Sequence, residues 1–201
     1  RNRSQPGVGH PDGIQGGLLY ARVYNNVIAD VVPSEYPLYV DTLPSTPLSH
    51  AQIFNNIFYT QKYPTSGGIS FSEGFGTVAL ASINNVVFAN NLMYQTGDNQ
   101  MAFTNADPMT ISRMTMKNNI FVARPSCGGV PIAFGSAHYT PITDVDLGNN
   151  LFSGACTGIV FRNPGTNAIT TYDSVTSFNQ AFPFERNFSG TPQFADANNR
   201  N

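Results

Sequence analysis

The chain has 201 residues, 41% of them apolar and only 11% charged, with a formal net charge of −2. Disorder requires low hydrophobicity and high net charge, so this balance excludes a disordered polyelectrolyte, and with lysine present only as Lys62 and Lys117 there is no basic field for nucleic acid. No apolar run reaches the roughly 18 to 20 residues of a membrane-spanning helix, so no membrane span is expected.

The first residues, 1–12, read as an incomplete first repeat that begins inside a turn-like stretch. The segment Gly9-His10-Pro11-Asp12-Gly13-Ile14-Gln15 sets an imidazole and a carboxylate two residues apart, which suits an acid/base pair acting on a polysaccharide. The same residues also suit a corner before a strand, with Asp12 capping a turn and Gly13 supplying an unusual backbone angle.

From Gly13 onward two short strand motifs alternate. One is Gly13-Ile14-Gln15, followed by Pro37-Leu38-Tyr39-Val40, Gly68-Ile69-Ser70-Phe71, Gln100-Met101-Ala102-Phe103, Pro131-Ile132-Ala133-Phe134 and Gly158-Ile159-Val160-Phe161. The other carries a double asparagine: Val23-Tyr24-Asn25-Asn26-Val27-Ile28, Ile53-Phe54-Asn55-Asn56-Ile57-Phe58, Phe88-Ala89-Asn90-Asn91-Leu92-Met93, Met116-Lys117-Asn118-Asn119-Ile120-Phe121 and Leu147-Gly148-Asn149-Asn150-Leu151-Phe152. Its second Asn advances by 30, 35, 28 and 31 residues. Repetition at this period signals stacked units; propeller blades run to about 40 to 50 residues, and sandwiches do not repeat. No repeat carries a helical pattern.

In the strand before each double asparagine, one parity is apolar throughout: Ala21 and Val23, Ala51 and Ile53, Val86 and Phe88, Met114 and Met116, Val145 and Leu147. Alternation sends these inward and sends Arg22, Tyr24, Gln52, Phe54, Val87, Ala89, Thr115, Lys117, Asp146 and Gly148 outward. Continued one step further, it predicts that Asn25, Asn55, Asn90, Asn118 and Asn149 point inward as a ladder of amides. The second Asn of each pair would then take a left-handed corner.

The pattern resembles the pectate-lyase-like superfamily of right-handed parallel β-helices, in which a strand ends in Asn-Asn before an aliphatic pair. Gly190-Thr191-Pro192-Gln193-Phe194-Ala195-Asp196 is similar to the segment that follows the last regular coils in that family. The resemblance implies an all-β solenoid, a right-handed parallel β-helix of about six coils and a piece of a longer helix. Residues 1–201 are then one domain, with regular coils over 13–178 and a C-terminal extension over 179–201 whose closing apolar sequence is missing, leaving the end of the core open unless something covers it. The superfamily holds lyases, hydrolases, epimerases, tailspikes, adhesins and structural proteins, so fold does not select an activity.

Cys127 and Cys156 lie 29 residues apart, one coil, at equivalent corners. A disulfide between them is the expectation, with two free thiols as the alternative; a bridge would place the protein in an extracellular or periplasmic compartment. Asn2-Arg3-Ser4 and Asn187-Phe188-Ser189 match the glycosylation acceptor pattern. His10, His50 and His138 show no metal-ligand spacing, so no metal or other cofactor is expected. Calcium would enter only with a lyase chemistry, neutralising a uronate carboxylate.

The candidate catalytic residues are His10, Asp12 and Arg22. Asp12-Gly13 is similar to a motif of polygalacturonase-like hydrolases, although the Asp-Asp pair, Gly-His-Gly and Arg-x-Lys of that family are absent here. Tyr24, Phe54 and Lys117 are the candidate substrate-binding residues, two rings for stacking on sugar and a cation for its polar groups. Arg113, Asp144 and Asp146 lie near the same column.

Two functional readings follow. One is a secreted protein that meets extracellular polysaccharide, as a lyase, a hydrolase or a binding module. The other is a structural or adhesive protein, a fibre, spike or surface component that self-assembles through the ends of its solenoid.

Overall fold

Runs of three to five residues rich in Val, Ile, Leu and Phe, cut by Asn and Gly, are too short to bury a face alone and find their backbone partners in the next repeat. In the computed structural model of the protein, residues 13–30, 36–42, 48–60, 68–73, 81–94, 101–104, 109–124, 132–134, 143–154, 159–162, 169–183 and 185–193 are described. Three sheets form, dominated by parallel pairing, and none closes into a barrel.

The first sheet takes Ile14–Gln15, Leu38–Thr42, Ile69–Glu73, Met101–Thr104, Ile132–Phe134 and Ile159–Arg162, with Ile169–Tyr172 added antiparallel at its end. The second takes Arg22–Tyr24, Gln52–Phe54, Ala81–Ala89, Met109–Lys117 and Thr143–Asp146, with Leu48–Ser49 also pairing on Ala81–Ala89. The third takes Val27–Ala29, Ile57–Tyr59, Leu92–Tyr94, Ile120–Val122, Leu151–Ser153 and Phe188–Ser189. Register is kept across repeats: Ile14 pairs with Leu38, Val23 with Ile53, Ile53 with Phe88, and Phe58 with Met93.

The inward parity expected of the second sheet is what the fold uses: Ala51, Ile53, Val86, Phe88, Met114, Met116 and Leu147 are buried with Val23. Leu38, Ile69 and Ile132 enter from the first sheet, and Phe58, Met93, Phe121 and Phe152 from the third. Phe121 and Phe152 stack with centroids 5.0 Å apart and planes 5° apart, because aligned strands put like side chains over like.

The roles expected of the two asparagines are exchanged. Asn25, Asn55, Asn90, Asn118 and Asn149 are the left-handed residues, with φ of 55 to 58°, and they are exposed. Asn56, Asn91, Asn119 and Asn150 are the buried ones. A left-handed residue turns the chain and ends the strand's alternation, so the next side chain, not this one, swings inward.

The ladder runs from Asn26 through Asn56, Asn91, Asn119 and Asn150 to Asn187. Each amide oxygen accepts from both the backbone N–H and the Nδ2 of the preceding asparagine, at 2.9 to 3.1 Å. From Asn56 onward each Nδ2 also donates to the carbonyl of the inward residue one repeat back, as Asn119 does to Phe88 O at 3.0 Å. Buried amides are tolerated only when satisfied in this way.

At the C-terminal end the structure departs from a repeat without helices. Val175–Ala181 is an α-helix, capped by Ser174, whose hydroxyl accepts from Ser177 N while the Ser177 hydroxyl accepts from Ser174 N. Its Val175 and Phe178 join the core cluster, so the end of the core is covered. Asn179 on this helix ends the ladder: its Oδ1 accepts from Asn187 N at 3.0 Å and its Nδ2 donates to Asn187 O at 2.7 Å. Gly190 N, opening the family-like tail segment, donates to Phe152 O. The glycosylation reading of Asn187 is overturned, because its side chain is buried and its Nδ2 is spent on Leu147 O at 2.6 Å.

Gly13 is needed for space and not for a backbone angle. A Cβ there would meet Ile28 Cγ2 at 2.4 Å and Pro37 O at 2.5 Å.

Candidate functional site on the outward face of the second sheet

Two columns of left-handed residues run along the second sheet, flanking its short first strands and, on the near side, falling inside the longer strands Ala81–Ala89 and Met109–Lys117. On the far side are Asn25 to Asn149 and then Arg186; on the near side, in register, are Tyr20, His50, Asn85, Arg113 and Asp144, with φ of 50 to 55°. Between them the outward side chains form a narrow, flat face that changes character from repeat to repeat.

Its first repeat presents Tyr20, Arg22 and Tyr24, all exposed. The second presents His50, Gln52 and Phe54 directly behind them. Tyr24 and Phe54 stack at 5.2 Å with planes 4° apart, and Tyr20 and His50 at 4.8 Å and 24°. Ser49 shares a 2.7 Å hydrogen bond with His50 Nδ1, which holds the imidazole under Tyr20. Two exposed tyrosines therefore flank one guanidinium, each braced by a ring from the next repeat. Tyr20 is 73% and Tyr24 50% exposed, a high apolar exposure for rings held this firmly.

The far end of the face is charged. Arg113 Nη2 donates to Asn84 Oδ1 at 2.7 Å, and Lys117 Nζ pairs with Asp146 Oδ2 on the next strand. Both members of that pair are more than a third exposed, so it contributes little to stability. Glu185 arrives from the C-terminal segment: its Oε2 accepts from Leu147 N at 2.7 Å and its carbonyl accepts from Asn149 N at 2.9 Å. Gly148 stands where earlier repeats carry Tyr24, Phe54, Ala89 and Lys117, since a Cβ there would lie 2.9 Å from Glu185 O.

Burial, and next the negative charge of Asp146, push the Glu185 carboxyl up to about 7. Between the ordinary value of 4.5 and about 7 the folded protein keeps a proton that the unfolded chain has released. Stability from this group is therefore full at low pH and falls as pH rises through that window. We expect a loss of about 1 kcal/mol between pH 5 and pH 8, discounted for the half-exposed setting. In Glu185→Gln that loss should vanish, as read by urea denaturation at the two pH values.

Of the residues singled out in the sequence, Arg22, Tyr24, Phe54 and Lys117 share this face. Arg22 adjoins the ring pair, whereas Lys117 sits two strands beyond Phe54 and engages Asp146. His10, Asp12, Cys127 and Cys156 lie outside the described residues. Among the described residues no three His, Cys, Asp or Glu side chains gather as metal ligands, and no helix is long and apolar enough to cross a membrane.

Sequence reasoning passed over Tyr20, weighed His50 only as a metal ligand, and passed over Glu185. The first two repeat at the same 30-residue interval as Asn26 and Asn56 and are found by extending the repeat alignment upstream. Glu185 carries no such signal, because its contacts reach back 38 residues to Leu147. The chain matches no family model, no curated protein and no solved structure.

Proposed function

We propose that the chain is a right-handed parallel β-helix of the pectate-lyase-like kind that meets extracellular or periplasmic polysaccharide on the outward face of the second sheet. The observation that carries this reading is the braced pair of exposed tyrosines around Arg22. Sugars present apolar ring faces and a rim of hydroxyls; rings held in one orientation meet the first at little entropic cost, and a guanidinium meets the second. Register supports the solenoid assignment, since each sheet takes its next strand from the next repeat.

The enzymatic form of the reading, a lyase or hydrolase, rests on His10 and Asp12 together with Arg22. In its favour, Arg22 lies only eight residues beyond Ile14, at the same end of the stack. The structural alternative, assembly through both ends, is disfavoured at the C-terminal end by the helix over the core.

Tyr24→Ala is expected to weaken retention on immobilised polysaccharide by about tenfold, and Tyr24→Phe to leave it nearly unchanged. Affinity electrophoresis across a panel of neutral and acidic polysaccharides checks this. Equal retention of wild type and Tyr24→Ala on every polysaccharide that binds would remove the reading.

A further inference from the structure

The two left-handed columns set the same backbone demand and meet it differently. The near column uses Tyr20, His50, Asn85, Arg113 and Asp144, so the conformation does not require asparagine. The far column uses asparagine five times in succession, at Asn25, Asn55, Asn90, Asn118 and Asn149. All five are exposed, and no side-chain hydrogen bond within the described residues engages their amides, in contrast to the buried asparagines one position later.

Their backbones follow the strand register, so the amides recur once per repeat, about 4.8 Å apart. That advance is close to one ring of an extended, β-1,4-linked polysaccharide. Each amide offers both a donor and an acceptor, which suits hydroxyls that also do both. Beside the column on one side stand Tyr24 and Phe54, and on the other the outward Val27 and Ile57, apolar borders at the same end. From Asn25 to Asn149 the column carries only uncharged amides, and near its far end Lys117 is matched by Asp146, so the path has no cation at each rung to hold a polyanion.

We propose that this column of corner amides is a linear track for a neutral, hydroxyl-rich polysaccharide chain lying along the stack, one sugar per repeat. The proposal rests on the polysaccharide reading above and adds the ligand's charge, direction and length.

The test is calorimetric titration of the intact chain with cello-oligosaccharides and xylo-oligosaccharides of two to six rings, with oligogalacturonides of matching length as the acidic comparison. Affinity for the neutral series should rise with each ring and level off near five, the number of exposed asparagines. The triple variant Asn55→Gly, Asn90→Gly and Asn118→Gly keeps the left-handed backbone and hence the fold. It should weaken the five-ring ligand, which loses three contacts, by about tenfold or more, and the two-ring ligand, which loses one when seated over Asn25, by no more than about fivefold, because each lost hydrogen bond contributes modestly and they add along the chain.

A length dependence that survives in the triple variant overturns the track. So does tighter binding of the acidic series. Binding that ignores length but disappears in Tyr24→Ala overturns the track alone and leaves the polysaccharide reading standing. No binding of any oligosaccharide, neutral or acidic, overturns both.

Discussion

Asn119→Ala is expected to destabilise the protein by about 4 kcal/mol, and Asn118→Ala, its immediate neighbour, by about 1 kcal/mol. Removing the Asn119 amide takes the acceptor from the Asn91 N–H and the Nδ2 donor from Phe88 O, and it leaves Asn91 Nδ2 with Ile53 O alone and Asn150 Oδ1 with the Asn119 N–H alone, all of them inside the core. Each buried orphan costs roughly 1 to 3 kcal/mol, and water reaches few of them. Asn118 has no such partners; alanine there meets only the cost of a left-handed backbone, and Asn118→Gly should be close to neutral. Chemical denaturation of the three variants checks the order. A larger loss at Asn118 than at Asn119 would return the ladder to the first asparagine of each pair.

Phe178→Ala should cost about 3 to 5 kcal/mol and change the solution state as well. Phe178 is 1% exposed, packs edge-on to Tyr172 with centroids 5.3 Å apart, and lies 4.9 Å from Phe182. Truncation empties the contact by which the helix holds the end of the core. It also loosens Asn179, on the next position, from the last rung of the ladder. A stack whose terminal strands and core are uncovered offers unpaired strand edges and apolar surface to a second copy. Sedimentation velocity should therefore show concentration-dependent self-association in Phe178→Ala under conditions where the parent chain shows less. A destabilised variant with unchanged association would mean that the helix stabilises the end without shielding it.

Much of the architecture is legible in the residues. The 30-residue recurrence, the apolar parity of Val23, Ile53, Phe88, Met116 and Leu147, and the partner motif at Ile14, Leu38 and Ile69 each map onto a sheet and a register in the structure. Strand pairing between repeats is a property of repetition, and burial follows from alternation, so both can be read along the chain. The shared face of Arg22, Tyr24 and Phe54 is legible for the same reason.

What stayed hidden depends on geometry that no spacing encodes. A single left-handed residue shifts the parity of all that follows, so Asn-Asn alone does not say which amide is buried until the backbone angle is known. Arg186-Asn187-Phe188 is a sixth copy of the motif, disguised because Arg186 fills the first asparagine's place with φ of 47°. The helix at Val175 had no repeat to announce it, and the contact of Glu185 with Leu147 joins segments that share no pattern. The stacked repeats and their inward columns were thus settled by local chemistry, repeated. The identity of the ladder, the cap on the core and the proton held beside Asp146 were settled by three-dimensional approach, because each depends on which groups lose water together when the chain closes.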